Sequence, residues 1–456
     1  MDRSRSTARS MKGVLAGLAA LLATAAPHSL AQTLAEVVDS SEGCDADYLQ
    51  ARAEIDAAHY RLEGSKASRL PVVNLQVRAS RDDSRAPDTS ATPPVLESQR
   101  TSIAGATLNG SQTLFNRQDD IAVDEARTLE DSARAQLRQV EQDLVVRVSQ
   151  GYFNALTAAE TVRAAQANEK GIAEQLESVR HNFAAGNATI TDIRDAEARE
   201  GLAQSQQIAA ESDLFVATEA LDQVACRVGV VPHPLPPRTS LPPMPPSQMP
   251  DWLALAEDSS PALEQARLAL AAAALETGRA RAGHLPTLQV NATYGRSRQH
   301  YVSSLPDSSS AVNGGASGVS LTLNVPLFSG LAIQSRVNEA SALEVKAQAA
   351  LDGARKRLLT GVRTTFASVQ TQAAQIRALE AAEAASQLAL DATSESFKAG
   401  VKLNLDVLNA RSQLYLSRRD LAGARYQYLL ATLKLRQAAG TLNVDDVRSI
   451  DALLSH

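Results

Sequence analysis

The sequence has 456 residues, 44% of them hydrophobic but only 4% aromatic, and a formal net charge of -6. Such a length predicts about three globular domains, yet an alanine-rich chain with few aromatic residues lacks the bulky side chains that three compact cores need. Long packed helices fit this composition better. Two cysteines exclude a disulfide scaffold, and seven scattered histidines show no metal-ligand spacing.

The N-terminal segment 1–31 has the pattern of a secretory signal peptide. Basic residues precede the apolar stretch 14–23, and Ser29-Leu30-Ala31 supplies the small residues needed for cleavage before Gln32. A short buried helix is the alternative, and the start lies at Met1 or Met11. Cleavage leaves 41 basic and 50 acidic residues, a formal charge of -9. An acidic exported chain without a Lys/Arg cluster argues against nucleic acid as a partner.

The remainder of the chain contains an internal duplication. Leu70-Pro71 recurs 215 residues later as Leu285-Pro286, and segment 183–196 recurs as 397–410 at an offset of 214. This nearly constant offset identifies one structural unit used twice. Between the copies, nine of the 18 prolines fall in 232–250, a density that excludes helix and central strand. We therefore predict a first repeat at 32–231, an extended linker at 232–250 and a second repeat at 251–456.

Each repeat has the same order of predicted elements. A first helix, at 46–69 or 261–282, leads into alternating apolar residues. The alternation predicts two strands of about ten residues per repeat, the length that a membrane strand requires. Polar loops at 82–98 and 304–318 separate the strands. A long and a shorter helix follow in each repeat, at 118–183 and 192–227, and at 331–397 and 406–439.

The predicted strands cannot close a barrel within one chain, because four strands are too few and the smallest membrane barrels have about eight. Unpaired strand edges in lipid are costly, so the sheet must close with strands of other chains. Two chains would give a barrel too narrow for cargo. We therefore predict three chains and a twelve-stranded barrel. The alternative is an ordinary pair of periplasmic hairpins packed on the helices.

Several short motifs occur in a fixed order along the mature chain: Tyr152-Phe153-Asn154, 183–196, 283–288, 326–330, 397–410, 424–428 and 440–443. Their order within the duplicated plan resembles the TolC family of outer-membrane exit ducts, and the resemblance covers residues 32–456. It implies a mainly α-helical fold with membrane β-strands. In that fold a homotrimer forms a twelve-stranded barrel in outer-membrane lipid and a periplasmic tunnel of twelve coiled helices with an equatorial belt. The implied partners are a periplasmic adaptor (membrane fusion protein) and an inner-membrane pump of the RND or ABC type.

The resemblance also places the turn between the long and the shorter helix of each repeat at the periplasmic entrance of the tunnel. Gly186 and Gly400 mark these two turns. In the family, polar residues near the turns link the helices that close the entrance, and inward aspartates form cation-binding rings. The corresponding gate and constriction candidates here are Thr191, Asp192, Asp195, Lys402, Asp406 and Asn409.

The entrance residues depart from the family pattern at three positions. Asn409 replaces a second ring aspartate, Lys402 replaces an arginine, and Phe397 replaces a tyrosine. Lysine lacks the bidentate fork of arginine and a phenyl ring donates no hydrogen bond. We therefore expect a rearranged or weaker closed-state lock, with Asp195 as a substitute negative charge. Helix capping is an alternative and compatible role, because Thr189-x-x-Asp192 resembles a capping box.

The two cysteines form a further candidate pair. In the implied architecture Cys44 and Cys226 both lie at the equator, and the periplasm is oxidising, which favours a disulfide. Two buried free thiols are the alternative.

The sequence contains no phosphate-binding loop, nucleophile elbow, HExxH motif or paired-cysteine metal site. We therefore predict no enzyme activity, no cofactor and no metal. The predicted function is a passive, gated exit duct of a tripartite export system for efflux or type I secretion. A structural or adhesive coiled-coil protein of the cell envelope is the alternative, although strands and helices that alternate twice favour the duct. Small toxic compounds and secreted proteins both remain open as cargo.

Overall fold

The computed structural model describes residues 32–88, 95–236, 239, 246–303 and 309–454. The predicted signal peptide at 1–31 and part of the predicted linker lie outside these ranges. The described elements, in chain order, are α1 (Leu34–Glu42), α2 (Ala46–Ala67), β1 (Val72–Asp88), β2 (Val95–Phe115), α3 (Arg117–Ala184), α4 (Ile190–Ala225), α5 (Met249–Ser259), α6 (Pro261–Ala282), β3 (Thr287–Ser303), β4 (Ser309–Asn324), α7 (Ala332–Lys398), α8 (Asn404–Ala438) and α9 (Val444–Leu454).

The chain divides into two compact units, each built from both halves of the sequence. One, which we call the sheet unit, comprises 50–139 and 261–358. The other, which we call the tip unit, comprises 1–49, 140–260 and 359–456. Within the described ranges, no helix is long and apolar enough to cross a membrane.

The sheet unit contains a four-stranded antiparallel sheet in the order β1-β2-β3-β4. The strands span 17, 21, 17 and 16 residues, so the predicted length of about ten was wrong. Both polar loops were predicted too long, because strand pairing continues out to Asp88 opposite Val95 and to Val302 opposite Ser309. The hydrogen bonds between strands are made by the backbone, so a strand can continue through polar residues, where the apolar alternation has ended.

The six predicted helices all begin and end within two residues of their predicted bounds. Helix α3 contains 68 residues and α7 contains 67. In the tip unit, α3 and α4 bury one face against α8. The buried cluster there includes Ile172, Leu176, Ile193 and Leu408. Small residues such as Ala196 and Ala203, both almost fully buried, let the helix axes approach closely.

Three short helices, α1, α5 and α9, were missed by sequence reasoning. Helix α5 begins at Met249, inside the segment predicted as an extended linker, with Pro250 in its first turn, a position where proline needs no hydrogen-bond partner. Trp252 of α5 is 2% exposed and its indole N–H donates to the Pro246 carbonyl. These helices are only 9 to 11 residues long, too short to be stable without tertiary contacts.

Candidate functional site

The turns at the end of the two long helices have the same backbone structure. After α3, the Gly186 N–H donates to the Phe183 carbonyl and the Asn187 N–H donates to the Asn182 carbonyl. Gly186 adopts φ 80°. After α7, the Gly400 N–H donates to the Phe397 carbonyl, the Val401 N–H donates to the Ser396 carbonyl, and Gly400 adopts φ 72°. This pair of bonds is the Schellman motif, in which a left-handed residue, usually glycine, satisfies the last carbonyls of a helix. The two predicted tip turns are therefore tight and pre-formed.

Asp192 caps the helix that leaves the first turn. Its carboxylate accepts from the Thr189 backbone N–H at 2.8 Å and from the Thr189 hydroxyl at 2.7 Å. The Asp192 N–H in turn donates to the Thr189 hydroxyl oxygen at 3.3 Å. The arrangement is a complete capping box at the start of α4, which is the alternative role considered for this aspartate.

The second turn is capped less completely. Asp406 accepts from the Leu403 backbone N–H at 3.1 Å, but leucine has no hydroxyl with which to return the bond. Lys402 lies 4.0 Å from the Asp406 carboxylate. The side chains of Lys402 and Asp406 are 54% and 39% exposed, so this ion pair contributes little to stability.

The remaining gate candidates are placed differently from one another. Asn409 accepts a hydrogen bond at 2.9 Å from Arg199 of α4, which links the two repeats close to the turns. Thr191 and Asp195 are exposed at the start of α4, and the structure brings neither of them to Lys402 or Asp406. Arg199 was missed by sequence reasoning, since nothing in the local pattern separates it from Arg194, the other arginine of α4.

Phe397 lies beside an apolar cluster formed by the hairpin of α7 and α8. The cluster contains Leu390, Val407 and Leu414, with Phe397 and Ala410 packed against it. The phenyl ring thus joins the two helices of its own hairpin by apolar contact. A tyrosine hydroxyl at this position would have served a polar contact instead.

A second ion-pair cluster near the first turn was also missed. Arg180 of α3 pairs with Glu197 of α4 at 3.4 Å and with Glu177 at 2.7 Å, and Arg194 pairs with Glu197 at 2.7 Å. The hydrogen bond and the charge of Arg194, and then those of Arg180, hold the pKa of Glu197 below its usual range. The i,i+3 spacing of Arg194 and Glu197 was a signal that could have found part of this cluster.

At the other end of the tip unit, a disulfide joins Cys44 to Cys226, with their Cα atoms 6.4 Å apart. Nearby, the Tyr152 hydroxyl donates to the Gln32 carbonyl at 2.8 Å and accepts from the His233 N–H at 2.7 Å. Burial raises the pKa of Tyr152 strongly, so this phenol remains a neutral structural group. These contacts tie the described N-terminus to the segment that follows α4.

No group of three or more His, Cys, Asp or Glu side chains is arranged to hold a metal ion in the part of the chain that the structure describes. The polar residues at the two turns are capping and inter-helix groups on exposed helix ends. Long helical hairpins closed by tight turns, combined with an open antiparallel sheet, are the arrangement expected from the sequence for an outer-membrane exit duct.

Comparisons with known proteins agree with this class. The family model described as outer membrane efflux protein matches residues 38–226 and 252–441, so the chain belongs to that family. It is 28% identical to the outer membrane protein TolC of Vibrio cholerae over 95% of this chain and 97% of that protein. It is also 33% identical to the proteases secretion protein PrtF of Dickeya chrysanthemi, over 70% of this chain and 69% of PrtF.

The fold has solved counterparts. The crystal structure of the CusC channel superposes with a TM-score of 0.75 at 19% identity, covering 90% of this chain and 92% of that one. The resemblance to the TolC family predicted from the sequence is thereby confirmed. The chain is an outer-membrane exit duct with a helical tunnel and a β domain, and the family comprises channels of efflux and secretion systems rather than known enzymes.

Proposed function

We propose that three copies of this chain close a twelve-stranded barrel in the outer membrane and a helical tunnel in the periplasm. The observation that carries this proposal is the open sheet. Within the described strands, β1 and β4 each pair on one side only. Every described β4 side chain is exposed, and Val319, Leu321 and Leu323 are 79%, 64% and 63% exposed on alternate positions. Such an edge and apolar face need lipid and further strands as neighbours.

We further propose that the two tip turns form a gated entrance, which receives cargo from an inner-membrane pump through a periplasmic adaptor. The pre-formed turns at Gly186 and Gly400 and the cross-repeat bond from Arg199 to Asn409 support this role. The polar contacts are few and exposed, so the closed entrance is held by weak interactions that a partner can displace.

Secreted proteins are the first candidate cargo. The support is similarity to PrtF, whose name states protease secretion, and to the alkaline protease secretion protein AprF at 32% identity. Deleting the gene and assaying both secreted proteins and sensitivity to small toxic compounds tests this assignment. Loss of a secreted protein with unchanged toxin sensitivity supports it, and the reverse result assigns small-molecule efflux.

The gating proposal is tested by replacing Asp192 and Lys402 together with alanine and measuring single-channel conductance in planar bilayers with KCl. We expect higher conductance, because the Asp192 capping box and the Lys402–Asp406 ion pair, which fix the starts of α4 and α8 at the entrance, are then lost. Lys398→Ala is the matched control, since it removes a lysine beside the same turn whose partner, Glu395, lies on its own helix. Equal conductance of the double variant and wild type would contradict the gate assignment.

A further inference from the structure

The guanidinium of Arg411 lies directly over a glycine of the neighbouring helix. Gly171 of α3 is buried, and a Cβ added there would overlap the Nη1 and Cζ atoms of Arg411 on α8. It would also lie 3.0 Å from the Arg411 Nε. The Arg411 guanidinium thus occupies the space that a side chain at residue 171 would fill, and it would have to move aside if residue 171 had a Cβ.

Arg411 has unusually few partners for a half-buried charge. Its Nε is buried and has no hydrogen-bond acceptor. Burial lowers the pKa of Arg411, and the negative charge of Glu174 only partly opposes this effect. A charge that is removed from water and not paired disfavours the packed arrangement that buries it.

Arg411 and Gly171 belong to a polar seam between α3 and α8, which also contains Asn168, Gln175 and Asn404. The α3 members follow each other at spacings of three and four and therefore share one face of that helix. Gln175 donates to the Asn404 Oδ1 at 2.5 Å. Asn168 and Asn404 are 7% and 4% exposed, yet the Asn168 Oδ1 and the Asn404 Nδ2 have no partner. The seam thus buries several polar atoms whose bonds to water are not replaced.

Helix α8 is joined to α7 by several ion pairs and hydrogen bonds. Arg418 pairs with Glu383 at 3.1 Å and donates to Gln387 at 2.8 Å, and Arg425 pairs with Glu380 at 2.9 Å. The apolar cluster around Phe397 joins the same two helices. Separating α8 from α7 would break paired charges, whereas separating α8 from α3 would return unpaired polar groups to water.

An opposing apolar contact keeps the seam closed. Leu408 of α8 is buried in one cluster with Ile172 and Leu176 of α3, and Tyr415 packs in another with Val162. Apolar burial of this kind favours the closed seam, and the unpaired polar groups favour the open one. The contact between α3 and α8 therefore combines favourable apolar burial with buried polar atoms that lack partners, among them the Arg411 Nε.

We propose that Arg411, accommodated over Gly171, acts as a wedge in the seam between α3 and α8 and sets how readily the entrance opens. The inference rests on the proposed gated duct and adds to it a positioning residue outside the tip turns. When the hairpin of α7 and α8 moves away from α3, the guanidinium regains water. Arg411 thus lowers the cost of opening without itself contacting cargo.

The test is the open probability of purified channels in planar bilayers with KCl. Arg411→Met keeps the length of the side chain and removes the charge, so we expect an open probability roughly threefold to tenfold below wild type. Gly171→Ala should also lower the open probability, because the new methyl group moves the flexible guanidinium out of the seam and so relieves its burial. In an Arg411→Ala background, Gly171→Ala should have little effect, because no guanidinium remains to be displaced.

Two variants serve as matched controls. Arg419→Met removes a charge from the same helix, but that arginine pairs with the adjacent Asp420. Gly201→Ala adds a methyl group to α4 at a position with no atom within 4 Å of the new Cβ. Both controls should open like wild type. Arg411→Lys retains the charge and should open more readily than Arg411→Met, which distinguishes the charge from the volume of the side chain.

The outcomes separate this inference from the function on which it rests. Wild-type protein that forms no pore overturns the proposed duct and the wedge with it. If wild-type protein forms pores and the Arg411→Met variant opens as often as wild type, or more often, the wedge alone is overturned. If Gly171→Ala does not assemble, the comparison of Arg411→Met with Arg419→Met still decides the question.

Discussion

The two repeats close the same helix junction by different chemistry. In the first repeat, Cys226 follows the end of α4 and is bonded to Cys44, two residues before α2. At offsets of 214 and 215, the second repeat has Gly440 after α8 and Ser259 before α6. An added Cβ on Gly440 would lie 2.5 Å from the Ser259 carbonyl oxygen and 2.6 Å from the Ser260 Cα. A covalent bond in one repeat thus corresponds to close backbone packing in the other.

The backbone requirement at both junctions is the same. Gly440 has φ 72° and Cys226 has φ 53°, the left-handed region that ends many helices. A residue with a Cβ is strained in this region. In the first repeat Cys226 adopts it while bonded to Cys44. The comparison teaches that the duplicated plan fixes where helices meet, while each copy has its own way of holding them together.

The largest expected effect comes from Gly440→Ala. The new Cβ would meet backbone atoms of Ser259 and Ser260, which cannot move aside as a flexible side chain would. Overpacking and left-handed strain together should cost about 4 kcal/mol. Thermal denaturation followed by circular dichroism measures the loss. Gly400→Ala is the control, because it has the same φ region without a neighbour within 4 Å, and equal effects of the two would show that the close packing is unimportant.

The next effect is the loss of the disulfide. Cys226→Ser should lower stability by about 3 kcal/mol, since the bond closes a long loop. Cys226→Gly should cost about 1 kcal/mol less than Cys226→Ser, because glycine removes the left-handed strain and makes the first junction resemble the second. A Cys226→Ser variant that is as stable as Cys226→Gly, or more stable, would contradict this reasoning. Wild-type protein should migrate differently in non-reducing and reducing electrophoresis. Free thiols in the native protein would exclude the bond.

A smaller effect is expected where the repeats differ at the entrance. Thr189→Leu should destabilise the start of α4 by about 1 kcal/mol, because it removes the hydroxyl of a complete capping box. Leu403→Thr should stabilise the start of α8 by roughly half as much, since it supplies the missing hydroxyl opposite Asp406. Hydrogen exchange of the first-turn amides measures both changes. Opposite signs are required, and a loss of protection in both variants would show that the two caps are not equivalent.

The smallest effect concerns Asp451, which caps the start of α1. Helix α5 lies at the corresponding position of the second repeat, and its N-cap residue Gln248 makes no side-chain capping bond. Its carboxylate accepts from the Leu34 and Ala35 N–H groups at 2.6 and 2.9 Å. Burial nevertheless raises the pKa of Asp451. The folded protein therefore binds this proton more tightly than the unfolded chain. The resulting stabilisation is present below the ordinary carboxyl pKa of about 3.9 and is lost as pH rises through the raised folded value.

The test of this linkage compares wild type with Asp451→Asn over the same pH range. The stability of wild type relative to the variant should fall as pH rises from below the ordinary carboxyl pKa towards neutrality. A difference that does not change with pH, or that grows with pH, would contradict the assigned direction of the shift.

Much of the architecture follows from local sequence. Long runs without proline identified the long helices, and alternating apolar residues identified the existence of the strands. The constant offset between Leu70-Pro71 and Leu285-Pro286 identified the duplication. Thr189-x-x-Asp192 predicted its own capping box. These features depend on residues a few positions apart, so the sequence displays them directly.

The remaining features depend on residues that are distant in the chain. Strand lengths were underestimated because backbone pairing, as of Asp88 with Val95, continues where the apolar alternation ends. The short helices α1, α5 and α9 form only against tertiary neighbours such as Asp451. The bond from Arg199 to Asn409 joins residues 210 positions apart, and no local pattern marks it.

The sequence by itself determined the duplicated helix and strand plan, the family resemblance and the likeness of the two tip turns, because period, offset and glycine position are written in consecutive residues. Only the tertiary structure decided which side chains meet across helices. It placed Arg411 over Gly171 and Gly440 against Ser259, since close approach depends on how helix surfaces fit together and not on any residue's immediate neighbours.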